Sequence, residues 1–124
     1  MKTRYTIGLA IIAAITGAAL AQTLHAQGKP KAYAVAEIEV TDATKFKPYL
    51  EGTGVIVPQA GGRFLARGNR TFVIGGAPPK SVVAVVEWDN YEQAEAFFSS
   101  DAYKKLTPNR EAGSNFRAFV VEGN

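Results

Sequence analysis

The chain has 124 residues, of which 47% are hydrophobic and 20% charged, with a net charge of +3. Those values suit one ordinary globular domain, and so small a charge is no warrant for a nucleic-acid-binding face. There is no cysteine, so the fold must stand on its core or on a partner chain.

The first 26 residues read as a secretory signal. Met1 to Tyr5 carries Lys2 and Arg4 and no acid, Thr6 to Leu20 is uncharged and apolar, and small residues mixed with Gln and His follow. A positive end, an apolar middle and a small-residue exit are the export pattern, and the apolar run is shorter than a membrane span needs. Cleavage is expected after Ala26, with Ala21 as the alternative cut and an uncleaved N-terminal anchor as the alternative fate. The mature protein is then secreted or periplasmic, with no stable membrane span. Loss of Lys2 and Arg4 from the 14 basic residues leaves 12 against 11 acidic ones, about +1. The single histidine, His25, leaves as well. A mature chain without His or Cys excludes zinc sites built on those ligands, Ser-His-Asp triads, thiol nucleophiles and histidine bases. No cofactor or metal is expected.

Residues 27–31 form a polar, breaker-rich leader, and residues 32–123 form the single domain. Ala32 to Val40 alternates as a strand, with Ala34, Ala36, Ile38 and Val40 on one face and Tyr33, Val35, Glu37 and Glu39 on the other. Thr41-Asp42 offers a cap for a helix of about four turns that carries Phe46, Tyr49, Leu50 and Val57 at helical spacing. Pro48, Gly52 and Gly54 predict an irregular middle, and Gly61-Gly62 an end. Arg63 to Arg67 is a short strand on which Arg63, Leu65 and Arg67 share one face. Gly68-Asn69 is a turn signal, and Arg70 to Ile74 is expected to continue as a short ribbon. Gly75 to Pro79 is a loop. Lys80 to Trp88 is apolar on both faces for most of its length and belongs in the middle of a sheet. Asp89 and Asn90 both have capping-box spacing for a second helix, whose stripe is Tyr91, Ala94, Phe97 and Phe98. Ser99-Ser100-Asp101 interrupts it, a further helical piece carries Tyr103 and Leu106, and Pro108 to Gly113 follows. Arg117 to Glu122 is the last strand.

The order is β-α-β-β-α-β. It predicts an α+β, ferredoxin-like fold, a four-stranded antiparallel sheet with helices on one face and the first and third strands in the middle. The uncovered face carries Tyr33, Val35, Leu65, Val83 and Val85, too apolar a surface for a lone monomer. A homodimer, sheet against sheet, is the simplest solution. Glu37, Glu87, Arg63 and Arg67 share that face, and an Arg-Glu-Glu-Arg row could lie across it, with Arg117 on the last strand. Such charges must be paired when buried. They are therefore either ion pairs that set dimer register or part of a polar pocket for a small acidic or carbonyl ligand. In the second case Glu37 and Glu87 are the candidate catalytic bases, since facing carboxylates raise one another's pKa. Arg63 and Arg67 are then anion anchors. Tyr103, Arg110 and Asn115 sit in the irregular stretch before the last strand, where a cleft could open, and Tyr103 and Arg110 complete the candidate ligand-binding set.

Taken in order, several pieces carry a resemblance. They are the Tyr-led first strand with Ala-Glu-Ile-Glu-Val-Thr-Asp, then Phe-Lys-Pro-Tyr, Gly-Gly-Arg-Phe-Leu-Ala-Arg-Gly, Pro-Pro-Lys before Val-Val, Glu-Trp-Asp-Asn, Ser-x-x-Tyr and a closing Val-Val-Glu-Gly. Together they resemble domain-of-unknown-function family 1330 over residues 32–123. The resemblance implies membership of the dimeric α/β-barrel group, whose other branches include cofactor-free monooxygenases, chlorite-dismutase-like haem proteins and stress-response barrels. It implies the same fold and dimer, no settled activity and no catalytic residues to carry over.

Two functions from different classes remain. One is a small-molecule-binding dimer. The other is a cofactor-free oxygenase or isomerase that uses a carboxylate base on an acidic or enolisable substrate. An RNA-recognition domain shares the element order, and Arg67 to Ile74 loosely echoes its central motif. That motif would fall on the wrong strand and lacks its first aromatic, so no nucleic-acid partner is expected.

Overall fold

The computed structural model describes residues 28–124. The signal reading, with its cuts after Ala21 and Ala26, lies outside the described residues. The elements are β1 (Ala32–Val40), α1 (Ala43–Gln59), β2 (Arg63–Gly68), β3 (Val82–Trp88), α2 (Tyr91–Phe98), α3 (Asp101–Lys104), α4 (Thr107–Gly113) and β4 (Ser114–Glu122). The sheet order is β2-β3-β1-β4, every pair antiparallel. The fold is the expected ferredoxin-like one, with β1 and β3 central. Among the described residues no helix is long and apolar enough to cross a membrane.

Local chemistry explains the boundaries. Asp42 caps α1 by accepting from the Lys45 amide at 3.1 Å. The helix then runs unbroken through Pro48, where an irregular middle was expected. Its end is a Schellman turn. Gly61 takes φ 95°, its amide bonds Pro58 O, and the Gly62 amide bonds Val57 O at 2.9 Å. Of the two possible caps for α2, Asn90 is used: its side chain accepts from Gln93 N at 2.8 Å, while Gln93 Oε1 accepts from Asp89 N at 2.7 Å. Ser100 restarts the chain as α3.

Two expectations fail along β2 and beyond it. Arg63 pairs with Glu87 and Phe64 with Val86, but the register then slips, so that Ala66 faces Val85 and Arg67 faces Ala84. Leu65 is the extra residue of a β-bulge, which turns every later side chain to the opposite face. Arg67 therefore sits on the helix side of the sheet, not beside Arg63. Residues 70–74 form no strand; they belong to an irregular connection running from 69 to 81.

The core lies between the sheet and the helices. Ala32, Ala34, Ile38, Val86 and Trp88 from the strands meet Phe46, Tyr49, Val57, Ala94, Phe97 and Tyr103. Trp88 is fully buried and stacks on Phe97 with centroids 4.7 Å apart, as its place on the β3 inner face predicts. On the uncovered face the register aligns Tyr33, Val35, Val83 and Val85 with Phe119 and Val121 of β4. Phe119 and Val121 are 45% and 49% exposed.

Candidate functional site

The helix side of the sheet holds a row of small residues. Arg67 faces Ala84, Ala84 faces Ala36, and Ala36 faces Ala118, a line across all four strands. A strand side chain normally fills the gap beneath a packed helix; methyl groups leave it partly open. Above the row lies an enclosed space of about 80 Å³, lined on the helix side by Phe46, Tyr49, Thr53 and Tyr103. At the β4 edge it adjoins a cleft of about 540 Å³ that carries Phe98, Tyr103, Arg110, Phe116, Arg117 and Phe119. That is the size range of ordinary ligand sites.

Polar groups converge where the two spaces meet. The hydroxyls of Tyr49 and Tyr103 are 2.8 Å apart, and Arg110 Nη1 donates to Tyr103 Oη at 3.1 Å. Tyr49 comes from α1, Tyr103 from α3 and Arg110 from α4, so the broken helical stretch that follows α2 delivers two of the three. The Arg110 guanidinium lies over the Phe116 ring, 4.7 Å from its centroid. Its side chain is 21% exposed, and its only acidic contact among the described residues is Glu111 at 3.5 Å, itself 71% exposed, a pair of little weight. Arg110 Nε is sealed from solvent without a partner among the described residues. Burial, and then the neighbouring Tyr103 hydroxyl, push the Tyr49 phenol well above its ordinary value. Tyr49 therefore keeps its proton and is no base.

The remaining predicted site residues fall elsewhere. Arg67 lines the enclosed space from the β2 edge and rests on Phe64, 5.7 Å from the ring centroid. Arg63 is on the uncovered face, where its Nε donates to Glu87 Oε1 at 2.9 Å and its Nη2 to Asp89 Oδ1 at 3.1 Å. The Arg63 bonds hold the Glu87 carboxyl below its ordinary range. Glu37 accepts from Arg117 Nη1 and, at 3.1 Å, from the Lys80 amide. The expected row of four charges does not form. Glu87 is level with Tyr33 and Glu37 with Val83, so four residues of strand, about 13 Å, separate the carboxylates along the sheet. They make two separate ion pairs. Asn115 Nδ2 donates to Glu39 Oε1 at 2.7 Å, away from the cleft.

Tyr49 and Phe116 were not identified from the sequence, because Tyr49 reads as one more apolar residue of the α1 stripe. The signal that was there is the run of alanines on the inner faces of three strands. Small residues where large ones should fill a core mark a space.

With the geometry in place, the family is decided by direct comparison. Residues 31–124 match the family described as Domain of unknown function (DUF1330). The chain belongs to it. No curated protein matches this DUF1330 chain. Among solved structures it is similar to a protein of unknown function from Rhodopseudomonas palustris, with TM-score 0.63 and 12% identity over 82% of this chain and 92% of that one. It is also similar to SnoaB, a cofactor-independent oxygenase from Streptomyces nogalater, with TM-score 0.55 and 12% identity over 77% and 94% of the two chains. A dimeric protein of unknown function and ferredoxin-like fold from Bacteroides fragilis gives TM-score 0.51 at 7% identity, over 75% and 96%. At these identities the likeness is one of fold.

Proposed function

We propose that this DUF1330 chain is an exported homodimer that binds a small molecule bearing a carboxylate or carbonyl oxygen in the Tyr103–Arg110 cleft. The observation that carries this reading is Arg110. A guanidinium mostly withdrawn from water, held by an acid only through the exposed Glu111 and with its Nε unpaired among the described residues, is costly unless something supplies an anion. The phenol hydroxyls beside it offer further donors, and the aromatic and alanine lining suits a flat apolar body. Arg67 stands at the far end of the alanine row as a second anchor. The dimer is supported by the apolar uncovered face and by the dimeric relative of the same fold. Export is supported by the N-terminal sequence pattern. Arg63, Glu87 and Glu37 are on this reading register-setting groups of the dimer face rather than ligand groups, while Arg117, paired with Glu37, also borders the cleft.

The second reading is a cofactor-free enzyme of oxygenase or isomerase type, favoured by the fold shared with SnoaB. In it Arg110 and the two hydroxyls would stabilise negative charge developing on a substrate oxygen. A base drawn from Glu37 or Glu87 would act between the two sheets of the dimer, not in this cleft.

The test is calorimetric titration of the purified mature protein with matched aromatic monocarboxylates and their amides, alongside Arg110→Met. Carboxylates should bind, amides should bind at least about tenfold more weakly, and Arg110→Met should abolish the difference. Equal binding of acid and amide, or an unchanged Arg110→Met, sinks the assignment. Consumption of a bound carboxylate under air would decide for the enzyme.

A further inference from the structure

Three features of the chain are unpartnered, and they fit one another. The connection after β2 carries Thr71-Phe72-Val73-Ile74, with Phe72 89% and Ile74 96% exposed. Aromatic and β-branched residues in that order have strand character, and in an extended segment Phe72 and Ile74 point the same way. No acid occurs between residues 69 and 81. Next, among the described residues β4 pairs only with β1, so its outer side presents free amides and carbonyls along nine residues without proline, an edge that natural proteins cover. Lastly, the large cleft opens at that same edge, between Arg110, Phe116 and Phe119.

Symmetry points to the occupant. Two four-stranded sheets packed face to face lose all free edges when the two-fold axis runs along the strands, because β2 of each copy then meets β4 of the other, antiparallel. β2 ends at Gly68, level through Val83 and Glu37 with Arg117. The chain leaving β2 therefore passes the partner's Phe116.

We propose that residues 69–74 are an arm that crosses to a second copy, passes the outer edge of its β4 from Phe116 to Ser114 and lays Phe72 and Ile74 over the Arg110 end of its Tyr103–Arg110 cleft. The ligand site is then completed by the other subunit. This rests on the homodimer reading given above.

The protein has no cysteine of its own, which makes cross-linking clean. Thr71→Cys and Asn115→Cys are prepared as separate full-length proteins, mixed to exchange subunits, and treated with a short bis-maleimide, while light scattering reports the oligomeric state. The expected result is a covalent dimer in the mixture containing one chain of each variant, identified by mass. A second variant, Phe72→Ser with Ile74→Ser, should raise the dimer dissociation constant at least about tenfold while circular dichroism stays that of the folded chain. A dimer by scattering that gives no mixed cross-link, or an unchanged dissociation constant, overturns the arm and leaves the dimer standing. A monomer at micromolar concentration overturns the dimer itself. A double Cys variant that links within one chain shows the arm folded on its own subunit and also overturns the proposal.

Discussion

Tyr103 is the hub of the polar cluster and Tyr49 its terminus, and removing each hydroxyl should therefore have unequal cost. Tyr103→Phe breaks both the 2.8 Å contact to Tyr49 and the 3.1 Å bond from Arg110. The second is charge-assisted, and the first leaves a phenol in a buried setting without a partner. Discounting for the water that can reach Arg110, the loss is about 2 kcal/mol. Tyr49→Phe removes a single bond and leaves Arg110 donating to Tyr103, a loss of about 1 kcal/mol. For a domain of this size, each kcal/mol moves Tm by roughly 4–8 °C, so the two variants should be separable by scanning calorimetry at pH 7. The same pair carries a pH signature. Because the Tyr49 phenol is raised in the folded state, the folded chain holds its proton above pH ~10, where the unfolded chain releases it. Its contribution is thus complete below pH ~10 and declines above it by about 1.4 kcal/mol per pH unit. Tyr49→Phe should flatten that part of the alkaline decline, measured by urea unfolding between pH 9 and 11. If Tyr49→Phe costs as much as Tyr103→Phe, or leaves the alkaline slope unchanged, the hydrogen-bond hierarchy drawn here is wrong.

Two further outcomes follow from packing. A methyl group at Gly113 would lie 2.5 Å from the Phe46 amide nitrogen and 2.6 Å from its Cβ, while the Gly113 carbonyl already accepts from the Thr41 and Asp42 amides. Gly113→Ala should therefore force α4 off α1 and cost about 3 kcal/mol, read as a lowered urea midpoint; a loss under about 1 kcal/mol would show that the close approach relaxes freely. Ala36 stands mid-row between Ala84 and Ala118. Ala36→Leu should fill the enclosed space and abolish carboxylate binding in the titration described above, with stability changed by less than about 2 kcal/mol. Retained binding would place the ligand elsewhere.

Much of this architecture is legible in the sequence, for physical reasons that also mark its limits. β1 is read with its observed ends because alternation and flanking breakers agree there. β3 reads as central because it is apolar on both faces. Tyr103 and Arg110 stand out because they interrupt the regular elements, and the fold brings them within hydrogen-bond distance. What escapes is whatever depends on a register. The bulge at Leu65 leaves no mark in Arg63 to Gly68, since an extra residue is a property of the pairing with β3 rather than of β2 alone. The facing of Arg117 and the separation of Glu37 from Glu87 follow from the same pairings. Residues 70–74 have strand propensity, but a strand needs a neighbour, and among the described residues of one chain there is none.

On the proposed function, that bulge lets one sheet serve two purposes, a dimer face and a ligand cleft. On the uncovered face each arginine has a carboxylate: Arg63 has Glu87 and Asp89, and Arg117 has Glu37. A face to be pressed against a second copy must carry charges already neutralised, because desolvating a lone one costs several kcal/mol. On the helix side, among the described residues, Arg67 has no acidic partner, and Arg110 has only the exposed Glu111 at 3.5 Å. A cleft that takes an anionic ligand needs the opposite arrangement, cations with little or no pairing of their own. Without the extra residue at Leu65, Arg67 would join the paired face, level with no free carboxylate, and would burden the interface with an unmatched charge. The slip in register moves it to the side where being unpaired is useful.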